Sequence, residues 1–175
     1  RSGVTSASAV AKTLTLTGTS TQLNTYAGVI TNPLGGGVAV VKDGPGTWRL
    51  TGLNTFTAGL TVKQGTLVGS GTSDANGGFY GKPAAINAVV GDASSTASGT
   101  AALLLQQGGL SDRAMTVAAA SGTGNQKVFL GAYDTAGKAT FKNTITLNRD
   151  VTLVAASSGA NSGTASFTNT WQTGT

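Results

Sequence analysis

The fold this sequence predicts is all-β: an all-parallel β-helix (a solenoid) of roughly six coils. Three observations lead there. Short segments alternate Thr with Leu or Val, the pattern of strands that turn one face inward. Gly, Asn and Asp punctuate them every few residues, and no window carries the apolar stripe of an amphipathic helix. Of 175 residues, 27 are Gly and only 3 Pro. Charged residues make up 10%, well under the quarter typical of a soluble domain. Thr, Ser, Asn and Gln do the solvating instead. A mean hydropathy of +0.08 argues against disorder, which goes with low hydrophobicity and high charge.

Residues 1–11 read as a small, polar N-terminal arm, either an ordered edge or a free tail, with only Val4 and Val10 as larger anchors. Residues 12–175 read as one domain with loop insertions near 69–83 and 91–100. Lys12–Gly18 is the cleanest alternating segment, with Leu14 and Leu16 on one face and Thr13, Thr15 and Thr17 on the other. Leu23-Asn24-Thr25-Tyr26 is echoed by Leu53-Asn54-Thr55-Phe56, and this offset of 30 lies within the range of solenoid repeats. Further strands are expected over 38–41, 84–90, 103–105, 114–117, 127–133, 139–147 and 151–154. The last strand signal runs from Thr164 to Trp171.

Val41–Val68 organises the chain. Trp48/Leu50, Leu60/Val62 and Leu67 mark short strands, separated by Gly44-Pro45-Gly46, Gly52-Leu53-Asn54 and Gln64-Gly65. Three short strands with turns between them fit one circuit of a solenoid better than a hairpin, so Trp48, Leu50, Val62 and Leu67 are assigned to one coil. The run from Gly44 to Leu67 resembles the passenger-associated repeat of autotransporters and related bacterial surface proteins. The usual form is a Gly-x-Gly-Thr turn, a strand, an Asn-Thr-aromatic-Thr-Gly-Gly turn, a Thr-Val strand, then Gly-Thr-Leu. Ala58 and Leu60 depart from it, where Gly and Thr are usual. The resemblance implies a right-handed parallel β-helix exported to the extracellular space or the bacterial outer surface, and it carries no catalytic residues over.

The residue inventory excludes much chemistry. His, Cys and Glu are absent, and all six acids are Asp. This removes the commonest general base, the commonest zinc ligand and any Ser–His triad. Asp43, Asp74, Asp92, Asp112, Asp134 and Asp150 stand singly in turns and read as loop residues. For a carbohydrate-active β-helix, the alternative from another class, Asp112-Arg113 and Arg149-Asp150 are the pairs for coiling to bring together. No calcium-binding repeat or phosphate loop is present, so no metal or other cofactor is expected and no enzymatic activity is assigned. The net charge of +5 comes from scattered Lys and Arg with no run to track phosphates. That argues against nucleic acid and leaves acidic surface polysaccharide as a weak, salt-sensitive partner. No apolar stretch is long enough to span a membrane.

The function this supports is a structural segment or subunit of a bacterial extracellular rod or fibre, with adhesion as a further role. A cut fragment of an autotransporter adhesin passenger is the nearest alternative. Coils are expected to stack aliphatic residues inside, with Asn24, Asn54 and Asn148 laddered at equivalent corners. Phe79 and Tyr80 either fold back over a coil edge or form an exposed contact for a glycan or partner. Neither end reads as a cap, so end-to-end contact with copies of the chain or with adjoining coils is expected. Leu14, Leu16, Phe167 and Trp171 are the candidate contacts.

Overall fold

The computed structural model describes all residues except 1–2, 5–8, 33–35, 75, 83–86, 95–96, 107, 122, 134–137, 156, 159–160, 163, 169 and 175, and except the side chains of 74, 157–158 and 161–162. The chain winds repeatedly past three sheets. In the first two circuits it forms β1 (Lys12–Leu16), β2 (Leu23–Tyr26), β3 (Val38–Lys42) and β4 (Thr47–Leu50). The third circuit holds β5 (Leu60–Val62), β6 (Gly65–Gly69), β7 (Thr72–Asp74) and the short β8 (Gly77–Gly78). Next come β9 (Ala88–Val90), β10 (Thr100–Leu105), β11 (Leu110–Ser111), β12 (Met115–Val117), β13 (Lys127–Ala132) and β14 (Lys138–Phe141). The last are β15 (Ile145–Leu147), β16 (Thr152–Val154), β17 (Ser157–Ser158), β18 (Asn161–Ser162), β19 (Thr164–Phe167) and β20 (Trp171–Thr173).

The first sheet runs β1-β3-β5-β9-β12-β15-β20, the second β2-β4-β6-β10-β13-β16, and the third β8-β7-β11-β14-β19. Passing the first sheet seven times and the second six, the chain is a β-solenoid of the expected coil number. No helix occurs among the described residues. Val4, in the N-terminal arm, bridges Ile30 in parallel and so belongs to the third face of the coil.

Alternation explains the interior. On the first sheet Val40, Leu60, Val62, Ala88, Val90, Met115, Val117 and Ile145 are buried. On the second, Leu67, Leu103 and Leu130 stack in register and are fully buried. Burying such a side chain contributes roughly 1.5–3 kcal/mol, while ordering a residue's backbone costs about 1–2 kcal/mol. Only stacked coils that share their walls close that gap.

The structure corrects four readings. Leu67 pairs with Trp48, so it lies one circuit beyond Trp48 and Leu50 rather than in their coil. The Leu-Asn-Thr-aromatic echo is not a structural register. Leu23–Tyr26 pairs with Thr47–Leu50 on the second sheet, whereas Asn54 lies on the third face, bridging Gly78. For the same reason Asn24, Asn54 and Asn148 occupy three different sites and form no ladder. Finally, the coil strands are parallel, but β7–β8 and β17–β18 are antiparallel hairpins. Two-residue strands of Gly or Ser offer no period to read.

Candidate functional site

Two places gather polar side chains, and the first is the corner between the first and second sheets. Every circuit must bend here, which leaves backbone carbonyls without ladder partners. Lys42, wholly buried at the end of β3, donates to the carbonyls of Asp43 (3.1 Å), Gly44 (2.6 Å) and, one coil on, Gln64 (2.8 Å). Burial pushes its ammonium down to about 8, against the raising pull of Asp43. It is therefore still charged at neutral pH. Gly65 allows this close approach. Its φ is +75°, and a Cβ there would sit 2.3 Å from the Gly44 oxygen and 2.6 Å from Lys42 Nζ.

Further along, Gln126 donates to the Lys63 carbonyl (2.7 Å) and accepts from the Asp92 N–H (2.8 Å). Arg149 donates to the carbonyls of Ala118 (2.6 Å), Asp92 (2.7 Å) and Ala119 (2.7 Å). A polar cleft of about 180 Å³ opens between these coils, lined by Asp43, Lys63, Gln64, Asp92, Ser94 and Gln126, among others. Both carboxylates in it cap their own turns: Asp43 accepts from Gly44 N–H (2.8 Å) and Asp92 from Ser94 N–H (3.0 Å). The corner works as a staple for backbone, and each carboxylate is engaged through Oδ1 in its own turn.

The second place is the insertion after β6. The chain leaves β7, turns, and returns through β8 and residues 79–82, laying an extra rung between Asn54–Phe56 and β7 on the third face. Asn54 bridges Gly78 on one side of this rung and Ser73 pairs with Gly78 on the other. The reversed rung breaks the parallel register, so side chains complete its hydrogen bonds. Asn54, fully buried, accepts from Ile30 N–H (2.8 Å) and donates to Phe79 O (3.0 Å). Arg113, 2% exposed, donates to Tyr80 O and to Lys82 O (3.2 Å). It lies 6.0 Å over the Phe56 ring. Burial pushes its guanidinium down to about 10.

Phe79 and Tyr80 are buried, at 1% and 0% exposure, and their rings meet edge to face at 4.3 Å. Of the two readings of this pair, folding back onto the coil is the correct one; as exposed contacts they are ruled out. They fill the space over Gly69, where an added Cβ would come within 2.1 Å of the Phe79 ring. Tyr80 Oη donates to Leu104 O (2.9 Å). Burial raises its phenol well above the usual range, against a hydrogen bond with the Gly69 backbone.

The other predicted residues fall at the two ends of the coil. Leu14 and Leu16 point inward from β1, Leu16 buried and Leu14 half-buried. Phe167 stacks on Phe141 with centroids 4.9 Å apart, and Trp171 packs on Phe167 at 5.6 Å. Asp112-Arg113 and Arg149-Asp150 do not meet. The first pair lies between the third and first sheets, the second between the first and second. Asp43, Asp92 and Asp150 do share a corner, a grouping hidden in the sequence because whole coils separate them. Asp134 and the side chain of Asp74 lie outside the described residues. Among those described, no group of three Asp residues is placed to hold a metal ion.

Residues 40–68 match the family described as the passenger-associated-transport-repeat. They run from within β3 through β6, a full circuit with the staple corner at each end. No curated protein and no solved structure matches the chain. Family and fold together fit a segment of an autotransporter passenger.

Proposed function

We propose that the protein is a structural segment of a bacterial extracellular rod or fibre of the passenger type, displayed at the cell surface, with no enzymatic activity of its own. The observation that carries this reading is the seamless seating of residues 40–68 in the ladder. Their circuit has the shortest steps among the described strands, 20 residues from Val40 to its partner Leu60 and 19 from Thr47 to Thr66, and coils continue on both sides. The corner side chains support it too, since Lys42, Gln126 and Arg149 are engaged in holding backbone. Asp43 and Asp92 are engaged in capping turns, which favours a rod over a carbohydrate-active groove.

Adjoining coils, of the same protein or of a second copy, are the partners this reading implies. Leu153 and Trp171 occupy inward positions on the last coil yet remain 49% and 37% exposed, and a further coil would cover them. At the other end a neighbour would pack on Leu14 and Leu16. Exposed Lys12, Lys63, Lys82, Lys127 and Lys142 give acidic polysaccharide a weak secondary hold. An antibody against the chain tests the location: intact source cells should label as strongly as permeabilised ones, and protease shaving should remove the label. Labelling confined to permeabilised cells would overturn the proposal.

A further inference from the structure

The outer face of the first sheet carries a second regularity, independent of the rod reading. Thr15, Val41, Thr61, Val89, Thr116, Thr146 and Gln172 pair successively through all seven strands without a register slip. The first six are all β-branched. Thr15 and Gln172 are exposed and the five between them half-buried, while their strand neighbours Val40, Leu60, Met115 and Ile145 are buried. The row therefore faces outward. No residue two positions upstream on these strands carries a charge either. Two positions downstream stand Asp43 and Lys63, one charge of each sign at the edge of the face.

Each property narrows what such a face can bind. With no charge on the row and one acid and one base at its edge, it gives acidic polymers and phosphates no net hold. Without an aromatic ring it offers sugars no stacking platform; Trp171, the one aromatic of these seven strands, packs on Phe167. A second copy is disfavoured by size. Seven rungs at about 4.8 Å, two side chains wide, cover roughly 300–400 Å², against about 800 Å² per partner in a standard stable interface. What remains is a ligand that is itself periodic. The rung spacing lies close to the short lattice repeat of hexagonal ice. Thr hydroxyls can bond lattice water, and the Thr and Val methyl groups order water beside them. With one strongly restricted χ1 each, these side chains lose little freedom on docking.

We propose that this face, centred on Thr61, Val89 and Thr116, binds the surface of ice crystals. The test is thermal hysteresis and inhibition of ice recrystallisation by the purified protein, beside Thr61→Lys/Thr116→Lys and, as a control on another sheet, Thr152→Lys. All three are checked for the native circular dichroism spectrum. The wild type and the control should hold ice growth below the melting point, while the double variant falls to the level of a buffer blank. A folded wild type indistinguishable from buffer in both assays overturns the proposal, whether or not the variants fold. So does a wild-type dimer that the double variant abolishes while ice growth is unaffected, because the face would then belong to a second copy.

Discussion

The circuit of residues 40–68 and the insertion that follows it are built on opposite terms. In the circuit, strands repeat at short steps, Thr47 sitting on Thr66 only 19 residues on. Backbone ladders satisfy the strands, and polar side chains are needed only where the chain bends. Across the insertion the step on the first sheet grows from 20 residues, Val41 to Thr61, to 28, Thr61 to Val89, and the surplus folds inward as a reversed rung. That rung closes because Asn54 and Arg113 reach it from two other places in the chain, while its own Tyr80 bonds the Leu104 carbonyl. A regular solenoid coil is held by burial; an irregular one is held by burial plus a set of buried hydrogen bonds, each costly to lose.

The sharpest way to break this contrast is to attack the regular coil through its interior. Leu50 is fully buried on β4. Leu50→Asp should cost several kcal/mol, since an unpaired charge in a dry interior is far more expensive than a lost methyl group. Thermal melting reads this directly, and a midpoint close to wild type would refute the inward assignment of β4. Next in size comes the insertion. Asn54→Ala orphans the Ile30 N–H and the Phe79 carbonyl at once, at about 1–3 kcal/mol for each buried group. Arg113→Met should cost less, about 1–3 kcal/mol, because removing the charge also relieves its desolvation. Hydrogen exchange should show both losses concentrated in residues 77–82. Uniform loosening along the whole coil would mean the extra rung is no separate weak point.

These sites also show what the sequence could and could not disclose. The circuit was legible because alternation and turn residues are local: Trp48, Leu50, Leu60, Val62 and Leu67 all fall in strands. Which circuit each joins was not, because pairing is set by how much chain the intervening corners consume. Corners here hold anything from two residues, as between Val62 and Gly65, to the nine between Val90 and Thr100. The insertion was legible only as a break in the pattern. Nothing local says that Phe79 and Tyr80 point inward; the reason is the vacancy over Gly69, a coil wall that an added side chain would fill. The staple corner was missed similarly, since Lys42, Gln126 and Arg149 look like ordinary surface residues until coiling aligns them.

Lys42 distinguishes the corner from both regions, because its contribution depends on pH. Its folded pKa of about 8 lies below the ordinary lysine value of 10.5, so between these limits the unfolded chain binds more protons. Stability contributed by this group therefore rises as pH increases through that window. Relative to Lys42→Met, the wild type should gain on the order of 1–3 kcal/mol between pH 8 and 10, measured by denaturant midpoints at each pH. Parallel curves for the two proteins would show that the ammonium is not desolvated at this corner.

The smallest expected effect comes one coil on, at Lys63. It follows the first-sheet strand β5 as directly as Asp43 follows β3, and it lines the same cleft. Its side chain is exposed, however, and its contribution to the corner is the carbonyl that accepts from Gln126. The backbone oxygen survives any substitution, and an exposed charge of this kind is worth less than about 0.5 kcal/mol. Lys63→Ser should accordingly leave the melting midpoint within error of wild type, at low and at high salt alike. Gln126→Ala, which removes the donor on the same bond, should lower the midpoint measurably, because it frees both the Lys63 carbonyl and the Asp92 N–H. If Lys63→Ser were the more damaging of the two, the corner would be held by surface charge rather than by side chains bonded to backbone, and the staple would have to be abandoned.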